Sequence, residues 1–173
     1  MKGVVRLVSP SLDYEEQAWE YIEEMEKDGS SYSGCAMIEF YKDDYKGWLD
    51  KIERFKINPD EGYAKSETYF LIREEDNKLL GFIDLRYELT EWLYNYGGNI
   101  GYSVRPSERK KGYAKEMLRL GLEKYREKKI DKVLICCNKE NLGSARTIIS
   151  NGGVLEKEVE KKDKIIQKYW IDL

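Results

Sequence analysis

A strand, a basic loop, a helix and a second strand follow one another between Gly97 and Cys137, and this order constrains the fold more than any other stretch. Gly97-Gly98-Asn99-Ile100-Gly101-Tyr102-Ser103-Val104 reads as a glycine-interrupted strand, and Arg105 to Lys111 as a loop. The spacing predicts a helix over about 113–128, with Ala114, Met117, Leu118, Leu120, Gly121, Leu122 and Tyr125 on its buried side. Lys132 to Cys137 is a strongly apolar strand. A strand–helix–strand unit of this length is a crossover within one sheet. The expected class is therefore α/β, with a central mixed β-sheet flanked by helices.

The flanking segments complete that picture. Gly3 to Ser9 is a short strand. Ser11 is placed to cap a helix from Leu12 to Lys27, whose apolar stripe is Leu12, Ala18, Trp19, Ile22 and Met25. Asp28-Gly29 stops it. A second helix fits Asp43 to Lys56, where Tyr45, Trp48, Leu49, Ile52 and Phe55 recur at helical steps. After the turn cluster Asn58–Gly62, Thr68–Arg73 and Leu79–Tyr87 read as a hairpin around Asp76-Asn77. Asn141 to Ser150 is a short helix, and Val154–Val159 and Ile165–Ile171 close the chain as paired strands. No repeat or Pro/Ser linker divides the sequence, so residues 1–173 read as one domain.

Composition narrows the chemistry. There is no histidine among the 173 residues, which excludes Ser-His-Asp and Cys-His nucleophilic sites, His-liganded zinc and a His base. Lys and Arg number 30 against 33 Asp and Glu, a net charge of −3, so no global basic field exists to hold nucleic acid. No apolar run approaches the roughly 20 residues of a membrane helix. The opening stretch from Met1 to Val8 meets Arg6 and then Pro10, too short for a signal-peptide core. Cys35, Cys136 and Cys137 lack metal-type spacing and read as reduced thiols; no metal site is expected and the setting is read as cytoplasmic.

The basic loop carries the informative chemistry. A helix start leaves about four backbone N–H groups unpaired at the positive end of the helix dipole. Gly112 lets an anion approach that backbone closely, and Lys110, Lys111 and Lys115 add positive charge. These features fit a pyrophosphate cradle; a solvated basic turn with a helix-capping glycine fits the loop alone equally well. Neither a Walker loop nor a G-x-G-x-x-G fingerprint is present. Arg109-Lys110-Lys111-Gly112-Tyr113-Ala114 resembles the R/Q-x-x-G-x-G/A signature of the GNAT superfamily of acyl-CoA-dependent N-acetyltransferases. Gly101-Tyr102-Ser103-Val104-Arg105-Pro106 before it, and Asn141, Ser144 and Gly152 after it, fall where that family has its strand and its N-x-x-A/S…G segment. These motifs span about residues 98–153, while the helices of about 11–60 fall on the acceptor side.

The resemblance implies acetyl-CoA as co-substrate and direct transfer to a primary amine in a ternary complex, by an acyltransferase acting on groups other than amino-acyl groups. It implies that Tyr102, Ser103 and Val104 offer backbone groups to the pantetheine arm in a gap beside the next strand, and that an N–H here polarises the thioester carbonyl. Arg109, Lys110, Lys111, Gly112, Tyr113, Ala114 and Lys115 would bind the pyrophosphate, and Asn141 and Ser144 the cofactor arm. Asn141 also fits a plain N-cap, and Tyr102 an ordinary strand aromatic.

Three positions depart from the family. Its tyrosine acid, seven residues after the Asn, is Ile148 here; its glutamate five residues before the Asn is Cys136; and its glutamate on the glycine-rich strand is replaced by Gly98-Asn99. Asp84 and Glu88, four apart on a predicted strand, are substitute carboxylates, and Asn99 a group to orient water or amine. The empty positions leave an alternative open, a weak or inactive acyl-CoA-binding sensor on the same fold. Acidic Asp28, Glu39, Asp43, Asp44, Asp50, Glu53, Asp60 and Glu61, interleaved with Tyr32, Tyr41, Tyr45, Trp48 and Phe55, suit a cationic amine of a small molecule or peptide, and equally fit an amphipathic second helix with a solvated acidic face. The last strand permits pairing with a second copy into a homodimer, and no membrane or nucleic-acid partner is expected.

Overall fold

The computed structural model describes residues 3–173; Met1 and Lys2 of the opening stretch lie outside it. Strands β1 (Val5–Val8), β2 (Ser66–Arg73), β3 (Lys78–Arg86) and β4 (Ile100–Val104) form one antiparallel sheet in the order β1-β2-β3-β4. Strands β5 (Lys132–Asn138), β6 (Val154–Lys161) and β7 (Lys164–Asp172) form a second, in the order β5-β7-β6. Helices α1 (Glu15–Asp28) and α2 (Tyr45–Phe55) cover one face of the first sheet, over β3 and β2. Helix α3 (Tyr113–Glu127) covers the opposite face, and α4 (Leu142–Ile149) packs beside α3 and β5. The α/β class and the helix-flanked sheet follow the expected plan.

Two cores hold the layers. Under α1 and α2 the core is aromatic: Trp48 stacks on Phe70 with ring centroids 6.0 Å apart, and Phe70 meets Phe82 edge-on at 4.6 Å. Opposite it, Met117, Leu118, Leu122 and Tyr125 of α3 pack on Ile83, Leu85 and Ile100, with Val133 and Ile135 of β5 joining them. Local chemistry fixes the helix ends: Asp44 caps α2 by accepting from the Gly47 N–H at 2.9 Å, and Gly29 ends α1 in the left-handed region at φ 68°.

The crossover differs from a simple sheet in a way that matters for function. Strands β4 and β5 are neighbours but share no ladder, so the sheet divides between them. They are joined at one end only, by an isolated bridge from Gly98 to Ile135 and by Asn99. Its N–H donates to the Leu134 carbonyl (2.6 Å), its Oδ1 accepts from the Leu134 N–H (2.8 Å), and its Nδ2 donates to the Arg86 carbonyl (2.9 Å). Beyond this clasp the strands diverge and a cleft opens.

Three local expectations are corrected. Leu12–Tyr14 form a 3-10 turn and α1 begins at Glu15; Ser11 caps nothing with its side chain, and its carbonyl accepts from the Tyr14 N–H and Tyr45 hydroxyl instead. Gly97 to Asn99 are not strand, because Leu93–Gly97 form a π-helical turn and Gly98 follows at φ 68°. A Cβ at Gly98 would sit 2.7 Å from the Leu134 carbonyl oxygen, which only glycine avoids. Strand β3 ends at Arg86, which leaves Glu88 in an exposed bend rather than on the face of Asp84.

Candidate active site

The cleft between β4 and β5 has a volume of about 710 Å³ and runs from the start of α3 to Cys136. Of the twelve residues that resemblance assigned to the cofactor, eleven line it: Tyr102, Ser103, Val104, Arg109, Lys110, Gly112, Tyr113, Ala114, Lys115, Asn141 and Ser144. Lys111 does not; its ammonium turns to Glu108 at 2.8 Å. As the edge strand of its sheet, β4 presents unpaired backbone groups to this cleft. The Arg86 N–H donates to the Asn99 carbonyl and the Arg105 N–H to that of Leu80, so alternation turns the main chain of Ile100, Tyr102 and Val104 toward the gap. Ser103 falls out of phase: its backbone faces β3, while its hydroxyl accepts from Tyr21 (2.8 Å) and donates to the Ser33 carbonyl (2.6 Å).

The α3 N-terminus is built differently from those of α2 and α4. Asp44 and Asn141 cap the other two with side-chain oxygens, Asn141 by accepting from the Ser144 N–H at 3.0 Å. At α3 the cap residue is Gly112, at φ 87° and without a side-chain cap. The first-turn N–H groups of Ala114 and Lys115 therefore lack both an intrahelical acceptor and a capping side chain. The loop that leads there is rigidly held. Glu24 of α1 accepts from Arg105 (2.8 Å) and from the Ser107 N–H (2.6 Å). Arg109 donates to the Val104 carbonyl, Asp28 and Ser30 at 3.0, 2.9 and 2.8 Å. Burial alone would raise the Glu108 carboxyl, but hydrogen bonds from Lys111 and Lys78, with the charges of Lys78 and Arg73, bring it down to about 2. Lys110 and Lys115 are exposed and form no ion pair among the described residues, so they are the loop cations left to meet an anion.

A second cavity of about 710 Å³ lies beside α2 and β3. Among its walls are Tyr32, Glu39, Lys51, Phe55, Glu61, Tyr63, Asp84, Arg86, Trp92 and Tyr96, drawn from six separated segments. The two cavities share Ser33, Tyr96, Ile100 and Cys136 as wall residues, so they adjoin there. Gly101 lies at this wall, where a Cβ would come within 2.7 Å of the Arg86 guanidinium end and 3.1 Å of the Gly34 backbone nitrogen.

The candidate catalytic residues separate in space. Asp84 lies in the second cavity, buried, with its carboxylate accepting from Thr68 (2.9 Å) and Arg86 (3.0 Å). Glu88 lines neither cavity. Asn99 lines neither, and both polar ends of its side chain are consumed by the clasp. Ile148 is fully buried in the core beside α3. Cys136 stands at the junction, where burial pushes its thiol up to about 11, so it stays protonated and is no nucleophile at neutral pH. Of the acidic residues read as acceptor-facing, Asp28, Asp44 and Asp60 are used by Arg109, the α2 cap and Arg54, whereas Glu39 and Glu61 reach the cavity. Lys51, Arg86 and Tyr96 were not foreseen. Tyr96 sits on the π-helical turn, which has no periodic signal in sequence.

Comparison with known proteins agrees with this geometry. The chain matches the acetyltransferase (GNAT) domain family over residues 39–154, more than half its length, and belongs to that family. Its fold is similar to that of the microcin C7 self-immunity acetyltransferase MccE, solved with acetyl-CoA and AMP, at TM-score 0.73 and 17% identity over 98% of this chain and 92% of that one. RimL, a ribosomal L7/L12 α-N-protein acetyltransferase solved with coenzyme A, gives 0.71 at 15% identity, over 98% and 94%. The ribosomal-protein-S5-alanine acetyltransferase of Vibrio fischeri gives 0.71 at 16%, over 97% and 91%. At these identities the likeness establishes the fold. No curated protein sequence matches the chain. Among the described residues no helix is long and apolar enough to cross a membrane, and no cluster of metal-ligating side chains occurs.

Proposed function

We propose that the chain transfers the acetyl group of acetyl-CoA directly to a primary amine of a small molecule or peptide, with both held at once. The observation that carries this reading is that a cleft suited to the donor and a second cavity share the wall residues Ser33, Tyr96, Ile100 and Cys136, which sets the two side by side. The residues fit the donor. An uncapped helix start with Lys110 and Lys115 beside it suits a pyrophosphate. The β4 edge at Tyr102 and Val104 suits an extended amide-bearing arm, which would lie against it like an added strand. Tyr102 and Ser144, bonded hydroxyl to hydroxyl at 2.8 Å, and Asn141 line the same arm. Acetyl-CoA supplies an acyl group already activated as a thioester.

The chain then has three tasks. Main-chain groups of Ile100 and Tyr102 face the gap and stabilise negative charge developing on the acyl oxygen. Asp84, fixed by Thr68 and Arg86, receives the proton of the attacking amine, directly or through water. Tyr96 and Cys136, beside the Ser33 hydroxyl, bring proton-bearing side chains to the junction for the departing thiolate, the role that Ile148 is unable to fill. Positioning two reactants in adjoining cavities supplies much of the acceleration, which is why the site needs no histidine. The test is release of free thiol from acetyl-CoA across a panel of primary amines. Thiol release that depends on the amine and falls in a Lys110→Glu variant is expected; acetyl-CoA binding without release for any amine would support an acyl-CoA sensor instead.

A further inference from the structure

Two charged groups in the acceptor cavity lack the partners that burial normally demands. Lys51 of α2 is 6% exposed; its ammonium donates one hydrogen bond, to the Ala36 carbonyl at 2.7 Å, and lies 4.4 Å over the Phe55 ring. It forms no ion pair among the described residues, so two of its three donors are unused. Glu39, in the turn Ile38–Phe40, has its Oε2 buried with no hydrogen-bond partner among the described residues. A buried cation with one bond and a buried carboxylate oxygen with none are each costly. Both line the same cavity, and Lys51 is anchored only three residues ahead of Glu39, yet they do not pair with each other. The neighbouring charges already have partners that Lys51 and Glu39 lack: Arg86 donates to Asp84 and the carbonyls of Gly97 and Gly98, and Asp84, the base proposed above, also accepts from Thr68.

We infer that the acceptor is an amino-acid-like zwitterion, its amine on the Glu39 side and its carboxylate at Lys51, an assignment that rests on the acetyl transfer proposed above. A ligand bearing both charges satisfies both orphans at once, which neither a simple amine nor a simple acid does. Tyr32, Phe55, Tyr63, Trp92 and Tyr96 around them suit an apolar or aromatic side chain on that acceptor.

Protonation of Lys51 adds a signature. Burial draws its ammonium down to about 8, against the raising fields of Asp84 on β3, Asp60 in the turn after α2 and Glu39, with Arg54 of α2 lowering it. Its carboxylate-binding charge is thus full below pH 8 and fades above it. Because the unfolded chain holds this proton up to the ordinary lysine range, burial of the charge penalises the fold below pH 8 and the penalty is relieved as pH rises beyond it.

The experiment compares kcat/KM for amino acids with that for the amines left when the carboxylate is removed: phenylalanine with phenethylamine, tryptophan with tryptamine, and alanine with ethylamine. The wild type should prefer the carboxylated member of at least one pair by about 30-fold, the scale of a desolvated charge contact. That preference should decline as pH rises through 8, and should collapse toward unity in Lys51→Met, whose Tm at pH 7 should exceed that of the wild type. Glu39→Gln should raise KM for the same amino acid more than it lowers kcat. The wild-type ratio and its pH profile need no variant to fold. Equal use of both members of every pair, or turnover of other amines but of no amino acid, overturns the zwitterion assignment and leaves acetyl transfer standing. Failure of every amine overturns the transfer reading itself.

Discussion

Gly112→Asp should weaken acetyl-CoA binding by about 100-fold, close to 3 kcal/mol, while the melting temperature stays nearly unchanged. Two unit charges about 4 Å apart near a protein surface interact by about 4 kcal/mol before salt screening, so one carboxylate against a pyrophosphate is enough to produce this loss. The stability terms offset each other. Gly112 sits at φ 87°, where a side chain costs about 1 kcal/mol, but Asp is among the residues that enter this region most readily. An acidic group at a helix start returns a comparable amount through the dipole. The position is exposed, so no core contact is disturbed. Titration calorimetry with acetyl-CoA, beside a thermal melt of the same variant, separates binding from folding. Unchanged affinity would move the pyrophosphate away from α3.

Asn99→Ala should destabilise the fold by about 3 kcal/mol, a fall in Tm of roughly 6–12 °C for a chain of this size. The cost falls unequally on the partners. The Arg86 carbonyl keeps the Tyr125 hydroxyl at 3.0 Å, whereas the Leu134 N–H loses its acceptor inside the core. The same side chain is the clasp that closes the β4–β5 gap at one end, so the acetyl-CoA affinity should fall with stability while the pH profile of kcat keeps its shape. Thermal denaturation and the pH–rate profile check this together. A kcat loss with an unmoved Tm would give Asn99 a direct part in the chemistry.

Asn99 illustrates what the sequence carries and what it does not. Its place where the family carries a glutamate suggested a group to orient water or amine, yet the contact with β5, a strand thirty-odd residues away, turns it inward to the Leu134 backbone. The place of the basic loop at the cleft was legible because its features are local: a glycine, a helix start and adjacent lysines fall within one short segment, and only Lys111 is drawn off, by Glu108. The second cavity was not, since it is assembled from segments far apart in the chain. Lys51 lies between Trp48 and Phe55 on an amphipathic helix, where a lysine reads as solvated; only the turn carrying Ala36 and Glu39, folded over that helix, buries it. Absence of histidine removes the usual side chain that titrates near neutrality, and burial of Lys51 brings down a group that composition does not reveal. Glu88 failed for a simpler reason: β3 stops at Arg86, and strand parity ends with the strand.

The central claim is that donor and acceptor meet where β4 and β5 part, and a crystal structure of the complex with acetyl-CoA measures it most directly. The expected density places the pyrophosphate at the first turn of α3 between Lys110 and Lys115, the arm along Tyr102 and Val104, and the acetyl group at Ser33, Tyr96, Ile100 and Cys136, facing the cavity of Lys51 and Glu39. An acetyl group lying outside the β4–β5 cleft, or walled off from that second cavity, would contradict it.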